Sequence, residues 1–484
     1  MMSLGILLPL LFFLFIIFFV GMWTNKYVSQ SDSFLHEYFL GSRNMGGFIL
    51  AMTMMATYGS ASSFIGGPGV AYSTGLGWVL LSMAQLPAGY FVLMILGKKF
   101  AIVARQYHSV TLIDFLKSRY QSELVGLLAA LSIIIFLFSS MAAQWVGGAR
   151  LIESLLDIPY WLALLIFALS VMIYVVVGGF RAVALTDTIL GAVMFFGTLI
   201  LLVATIIAGG GVTNIMEKLV AIDPDLISPF GANGELSPLY VSSYWILVGV
   251  GVVGLPQIAV RAMSYKNAKA MHQAIIISTV FVGIIMLGMH LIGVFARAIN
   301  PNIAVGDTVM PTIAMEVLPP VLAGVVLAAP MAAIISTVNA LLIMVSSAVV
   351  KDIYLSYINR DAQERTIRKI SYTVTAVLGV IVFFMALSPP DFLIWLNLFS
   401  FGGLEAAFIW PVILGLYWKK GNRYGAIWSM IVGVSSYILF HTYYPNAFGM
   451  HTVVMPVVLS LITFVVASIF TDKKIVYKPL KQVD

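Results

Sequence analysis

Long apolar stretches alternate with short polar segments along almost the whole chain. A helix needs about 20 apolar residues to cross about 30 Å of hydrocarbon, and stretches of that kind recur from end to end. They predict helices at 4–24, 45–71, 76–97, 124–148, 157–178, 182–209, 240–260, 273–298, 321–349, 370–388, 391–418, 424–441 and 452–470. The pattern therefore predicts an all-α membrane protein of about 13 transmembrane helices, without room for a soluble domain.

Composition agrees with this pattern and excludes several kinds of chemistry. Of 484 residues, 61% are apolar and only 10% are charged, whereas soluble chains carry about 25% charged residues. Because cysteine is absent, there are no disulfides, Cys-zinc sites or thiol nucleophiles. No span offers a nucleophile–base pair or a phosphate-binding loop. We therefore expect neither an enzyme nor a bound cofactor.

Basic residues gather on one side of the predicted helices. With the N-terminus outside, all but three of the 26 Lys and Arg residues fall in cytoplasmic segments or the C-terminal tail, and the exceptions are Arg150, Lys218 and Arg297. This asymmetry is typical of membrane topology. The asymmetry explains the net charge of +6, so this charge does not indicate nucleic-acid binding. Tryptophans near helix ends, such as Trp78, are interpreted as interfacial anchors.

Two predicted helices contain residues that break the backbone ladder. The second has Gly59 and the run 66–69 (GGPG), and the seventh has Gly249, Gly251, Gly254 and Pro256. They lie five helices apart, at the first position of two five-helix blocks. Paired interruptions of this kind indicate a transporter binding site, although glycines that only permit close helix packing remain an alternative.

The ninth helix presents a set of small and hydroxyl side chains. Ala333, Ser336 and Thr337 stand at i, i+3 and i+4, so they share one helical face. Two hydroxyls beside a small residue suit a sodium ion, and unwound carbonyls of the second helix could complete its shell. The alternative is that both hydroxyls bond to carbonyls of their own helix or join neighbouring helices.

Ionisable residues inside the predicted spans are few, and such residues are functional candidates. Asp187 lies near the cytoplasmic end of helix six, where pairing with Arg181 or another neighbour is the alternative. Glu405 on helix eleven could ligate a cation, shuttle a proton or sit protonated in a helix–helix hydrogen bond. For His290, in the middle of helix eight, a satisfied polar contact is favoured over proton transfer.

Five motifs resemble those of the sodium:solute symporter family: EYFLGSR (37–43), ATYGSASSFIGGPG (56–69), GGFRAVALTD (178–187), AAIIST with VVKDIY (332–337 and 349–354), and GLYWKKGNRYGA (415–426). The resemblance implies a leucine-transporter-type core, a five-plus-five inverted repeat with one leading and two trailing helices. The implied divisions are 1–44, 45–209, 210–239 (an external loop), 240–418 and 419–484.

The same resemblance implies residue roles. Sodium would be held by the backbone carbonyls of Ala56, Gly59 and Ala333 and the hydroxyls of Ser336 and Thr337. Asp187 would lie near the cytoplasmic sodium-release path. One position departs from the family's proline carriers, which have a carboxylate in the broken helix where this chain has Tyr58.

Within the family, residues 37–69, 144–153 and 395–418 are most similar to the pantothenate carriers. This similarity implies sodium-coupled pantothenate uptake across a bacterial inner membrane, with another monocarboxylate, amino acid or sugar as the alternative solute. The expected partners are Na⁺, the solute and the lipid bilayer, without an obligate protein partner.

Without a Lys or Arg deep in a predicted span, we expect half-helix N-termini at the breaks to receive the substrate carboxylate. The polar residues expected to contact the substrate are Tyr58, Ser60, Ser62, Ser63, Gln85, Gln144 and Asn397.

Overall fold

The computed structural model describes residues 4–28, 45–178 and 183–471. Apart from one isolated bridge between Met45 and Tyr265, these residues form helices, turns and loops. The long helices are α1 (Leu4–Val28), α2 (Gly47–Tyr58 and Ser62–Thr74), α3 (Leu76–Gln106), α4 (Glu123–Leu156), α5 (Tyr160–Gly178), α6 (Val183–Ala208), α7 (Pro238–Gly254 and Pro256–Met263), α8 (Ala268–Ile299), α9 (Pro320–Ile358), α10 (Glu364–Ala386), α11 (Ile394–Tyr417), α12 (Arg423–Tyr443) and α13 (Val454–Phe470).

Each predicted span coincides with one of these helices. By length and composition, eight described helices could cross a membrane, and ten could if each bent pair is one span. Parts of α1 and α5 and the whole of α13 form shorter apolar helices, so the total of thirteen spans stays a prediction. The motif at 37–43 and Arg181 lie outside the described residues.

Both predicted interruptions are real bends. The two halves of α2 meet at 68° and those of α7 at 55°. In α2 the backbone becomes extended at Gly59 (φ −66°, ψ 128°). In α7 it becomes extended at Leu255 (φ −82°, ψ 115°), just before Pro256, which has no N–H to continue the ladder. The sequence therefore places both breaks correctly.

The segments between spans hold more helix than the polar pattern suggested. Short helices occupy Leu112–Tyr120, Val212–Ile222 and Val309–Val317. The first begins with a capping box, in which the Thr111 side chain accepts from the Asp114 N–H and the Asp114 carboxylate accepts from the Thr111 N–H. Such short amphipathic helices resemble polar loops when hydropathy alone is considered.

The bent helices lie inside the bundle. Both halves of α2 pack on α8, α9 packs on α6, and α11 packs on α4. Among the unbroken spans, α9 and α11 are the most enclosed, whereas α10 and α12 are largely exposed. Close packing of α8 on α2 requires Gly293, because a Cβ there would collide with the backbone of Pro68. The interior thus places the two breaks next to α8, α9 and α11.

Candidate functional site

An oxygen-rich cluster joins the break in α2 to the middle of α9. The Thr337 hydroxyl lies 2.9 Å from the Gly59 carbonyl and 2.8 Å from that of Ala333. The Ser336 hydroxyl lies 3.3 Å from the Ala56 carbonyl. The structure therefore brings together all five residues predicted to hold sodium, and both hydroxyl side chains are buried.

The cluster follows from the interruption of α2. The last carbonyls of a helix have no N–H from the following turn, and Ala56 lies in the last turn of Gly47–Tyr58. The face of α9 that carries Ser336 and Thr337 supplies hydroxyls to these carbonyls. A hydroxyl oxygen keeps two lone pairs and its hydrogen can rotate, so the same oxygens fit a small hard cation. The hydroxyls thus bond both to a carbonyl of α9 itself and to carbonyls of α2. The predicted sodium site would use these same oxygens.

Asp187 connects this cluster to the second half of α7, Pro256–Met263, which is the inner half on the predicted topology. Its Oδ1 lies 2.9 Å from the Ser336 hydroxyl, and its Oδ2 lies 3.3 Å from the Thr53 hydroxyl and 3.5 Å from an Arg261 nitrogen. Asp187 is 2% exposed and Arg261 is 8% exposed. Arg261, which the charge pattern placed in a cytoplasmic loop, is therefore a buried partner of Asp187. Sequence reasoning missed it because it lies at the end of a bent helix.

A small cavity of about 30 Å³, the central cavity, lies beside the α2 break. Six of the seven residues predicted to contact the substrate line it: Tyr58, Ser60, Ser62, Ser63, Gln85 and Asn397. The Ser62 hydroxyl has no hydrogen-bond partner among the described residues. The structure thus gathers these side chains around one space, while their contact with a substrate stays a prediction.

Gln144 lies outside the lining of this cavity. Its Oε1 accepts the Ala61 N–H at 2.8 Å, and its amide nitrogen lies 3.4 Å from the Ser140 carbonyl. Ala61 immediately precedes the second half of α2, Ser62–Thr74, which is the outer half on the predicted topology. The first backbone N–H groups of a helix lack partners within it. Gln144 therefore binds the backbone at the break and does not line the cavity.

Two further residues line the cavity and were assigned other roles from sequence. His290 has Nδ1 2.6 Å from the Met286 carbonyl, so the polar contact favoured from sequence is present. Its Nε2 lies against Gly67, 2.5 Å from where a Cβ would stand. Trp78, interpreted as an interfacial anchor, is instead 2% exposed inside the bundle. Its position near a helix end did not indicate that Trp78 is buried.

Aromatic rings separate the central cavity from a larger vestibule of about 550 Å³, which is the outer vestibule on the predicted topology. The Trp78 ring lies edge-on to Tyr244 and Trp395, with centroids 5.9 and 5.8 Å apart, and Trp78 lines both spaces. Binding pockets for small molecules usually measure about 300–1,000 Å³. An organic solute therefore requires these rings, or the helices that carry them, to move apart.

Glu405 is fully buried, and it lies against the backbone of two glycines of α7. A Cβ on Gly251 would stand 2.6 Å from its Oε2, and one on Gly254 would stand 3.2 Å from its Cα. Neither carboxylate oxygen has a hydrogen-bond partner among the described residues. Glu405 does not line the central cavity.

Comparison with known proteins establishes the family. Residues 38–433 match the sodium:solute symporter family. The chain belongs to this family.

Individual relatives of this family member cover nearly its whole length. A sodium/pantothenate symporter of Haemophilus influenzae is 49% identical over 481 residues, 99% of each chain. Another sodium/pantothenate symporter, of Escherichia coli strain K12, is 50% identical over 470 residues, 97% of each chain. The solved substrate-bound outward-open state of a Na⁺-coupled sialic acid symporter has a TM-score of 0.78 at 19% identity, covering 97% of this chain and 98% of that one. This last likeness confirms the predicted fold class.

Proposed function

We propose that this sodium:solute symporter family member takes up pantothenate together with sodium by alternating access across a bacterial inner membrane. The observation that carries the proposal is that the oxygen cluster and the polar cavity share the break in α2. Identity of 49% and 50% to sodium/pantothenate symporters over nearly the whole chain supports pantothenate as the solute. The distribution of basic residues supports an external N-terminus and a cytoplasmic C-terminus.

Coupling follows from the position of Gly59. Its carbonyl belongs to the oxygen cluster, while its neighbours Tyr58 and Ser60 line the cavity. A sodium ion held by the cluster fixes the backbone at the break, and that backbone sets where the cavity's polar groups stand. Sodium binding therefore prepares the cavity for the solute without direct contact between ion and solute.

The cavity suits a small anion that carries hydroxyl and amide groups. The outer half of α2 begins at Ser62, and the positive end of its dipole lies at the cavity wall, where a carboxylate is favoured. Hydroxyls and amides nearby can pair with the hydroxyls and amide of pantothenate. The inner half of α7 begins at Pro256, which does not line this cavity, so the carboxylate position belongs to α2 alone. A wrong solute leaves buried polar groups unpaired, which gives selectivity.

Uptake of labelled pantothenate into proteoliposomes tests the proposal. Wild type should accumulate it under an inward sodium gradient and not under a potassium gradient. The Ser336→Ala/Thr337→Ala variant should need at least about a hundredfold more sodium, because two ligands are lost and each ligand to a charged group is worth about 1.5–3 kcal/mol. Ser346→Ala is the matched control, since it removes a hydroxyl of α9 that faces Thr375 instead.

Two results would contradict different parts of the proposal. Sodium-driven uptake of another monocarboxylate, amino acid or sugar, with none of pantothenate, would exclude the solute and keep the coupling. Absence of sodium dependence for every solute would exclude the mechanism.

A further inference from the structure

A second cavity, of about 20 Å³, lies at the opposite end of α9 from its Pro320 start. Its walls come from α4, the inner half of α7, the start of the Leu112–Tyr120 helix and the end of α9. Its lining includes Thr111, Val260, Ser347 and Asp352. On the predicted topology this end of α9 faces the cytoplasm.

Two buried polar atoms face this cavity without partners. The Ser347 hydroxyl and Asp352 Oδ2 have no hydrogen-bond partner among the described residues, and Asp352 is only 4% exposed. Buried polar atoms are nearly always bonded to protein, water or an ion. A cavity of this volume holds one occupant of the size of a water molecule.

The two lysines near Asp352 each pair with another carboxylate. The charged groups that act on its carboxyl are Lys351, Asp114 and Lys117. Lys351 already pairs with Asp114, at 2.7 and 2.6 Å from its two oxygens, and Lys117 pairs with Glu123 at 2.7 Å. In the described part of the chain, Asp352 therefore lacks a cationic partner of its own. Buried charges are normally paired or coordinate a cation.

The cavity also lies in line with the oxygen cluster. Ser347 follows Ser336 by eleven residues, about three turns, so both lie on the same face of α9 about 16 Å apart along its axis. On α7, Val260 of the cavity wall is followed by Arg261, the partner of Asp187. The same two helices thus connect Asp187 to the second cavity.

We propose that Asp352 and Ser347, with the hydroxyl of Thr111, form a second sodium site that the ion occupies between the α2–α9 cluster and the cytoplasm. Oxygen ligands of this kind suit a hard cation. The proposal rests on the sodium-coupled function proposed above. The site would hold the transported ion at a later stage of the cycle, not an additional ion.

Transport measured from each side of the membrane tests this position. The full-length protein is reconstituted, and exchange is driven by sodium from the outer or the inner face. Asp352→Asn and Ser347→Ala should raise the half-maximal sodium concentration at the inner face, by about tenfold for Asp352→Asn, and leave the outer value unchanged. Ser346→Ala should change neither value. Equal changes at both faces would indicate a structural role and overturn the proposal, as would an unchanged inner value.

Thermal stability in sodium gives a readout that does not depend on the solute. A cation that binds only the folded state raises the melting temperature. Sodium, compared with potassium, should still stabilise the Ser336→Ala/Thr337→Ala variant, and adding Asp352→Asn should abolish this remaining effect. Absence of the remaining effect, or its survival with Asp352→Asn, would overturn the second site. Failure of the proposed function would appear separately, as wild-type protein without sodium-driven uptake.

Discussion

At the scale of single residues, Asp307 fastens the loop between α8 and α9 to the start of α11. Its Oδ2 accepts the Leu393 N–H at 2.9 Å, and the side chain is 1% exposed. Burial raises the pKa of Asp307 to about 7, while the Leu393 N–H and the charge of Arg150 act in the opposite direction. This carboxyl lies outside the predicted spans and changes charge near neutral pH.

Replacement of Asp307 should change the pH dependence of stability. Unfolded Asp releases its proton near pH 3.9, whereas folded Asp307 keeps it up to about pH 7. Because the folded state then binds more protons, stability falls as pH rises from 4 to about 7. Asp307→Asn keeps an acceptor for Leu393 and should remove this part of the slope. Melting temperatures of both proteins between pH 5 and 8 measure it.

The exposed Asp391 offers a control near the same contact. Asp391→Asn should keep the wild-type slope. A slope that survives in Asp307→Asn would show that other groups produce the pH dependence.

Residue pairs that are close in sequence could be predicted, and distant pairs could not. Helical geometry alone places Ala333, Ser336 and Thr337 on one face. The ion pair between Asp187 and Arg261 joins residues 74 positions apart, and no local pattern specifies which helix end meets which carboxylate. The motif resemblance predicted the sodium residues as a group, because it carries information about tertiary contacts that spacing lacks.

At the scale of helices, the breaks were predictable and the extensions were not. Gly59 and Pro256 interrupt the backbone by their own chemistry, so the bends in α2 and α7 follow from local sequence. By contrast, α3 continues to Gln106 and α9 to Ile358, through segments whose charged residues resemble loops. Packing of one apolar face keeps these ends helical, and hydropathy averaged over a window does not detect such a face.

The break in α2 should depend on Gln144. Gln144→Met keeps the length of the side chain and removes the acceptor of the Ala61 N–H. A buried donor without a partner costs about 1–3 kcal/mol, so the break should become less ordered. We expect a lower melting temperature and weaker sodium activation of uptake, with an unchanged order of preference among competing solutes.

Gln144→Glu is the matched comparison, because it keeps an acceptor oxygen and should retain more of the sodium activation than Gln144→Met. A change in solute preference in Gln144→Met would instead return Gln144 to the set of substrate contacts.

At the scale of the whole molecule, the vestibule, the central cavity and the oxygen cluster lie one after another along a single route. The outer vestibule meets the central cavity at Trp78, and the cavity meets the oxygen cluster at the break in α2. Asp187 and Arg261 then connect the cluster to the inner end of α9. The order of these features is consistent with the proposed alternating access, in which we expect the aromatic contact and the ion pair to open at different stages.

The charge carried in one cycle should be close to zero. One sodium ion with one monoanion moves no net charge. Uptake should then follow the sodium gradient, about 1.4 kcal/mol per tenfold ratio, and gain little of the roughly 2.3 kcal/mol per charge available from 100 mV. Steady-state accumulation of pantothenate in proteoliposomes, at a fixed sodium ratio and with the potential set by potassium and valinomycin, should be the same at 0 and −100 mV. A tenfold change in the sodium ratio at 0 mV, the positive control, should change accumulation about tenfold.

Greater accumulation at −100 mV would show a second coupled cation. Glu405→Gln would then be the first variant to measure, because neither oxygen of Glu405 has a partner among the described residues.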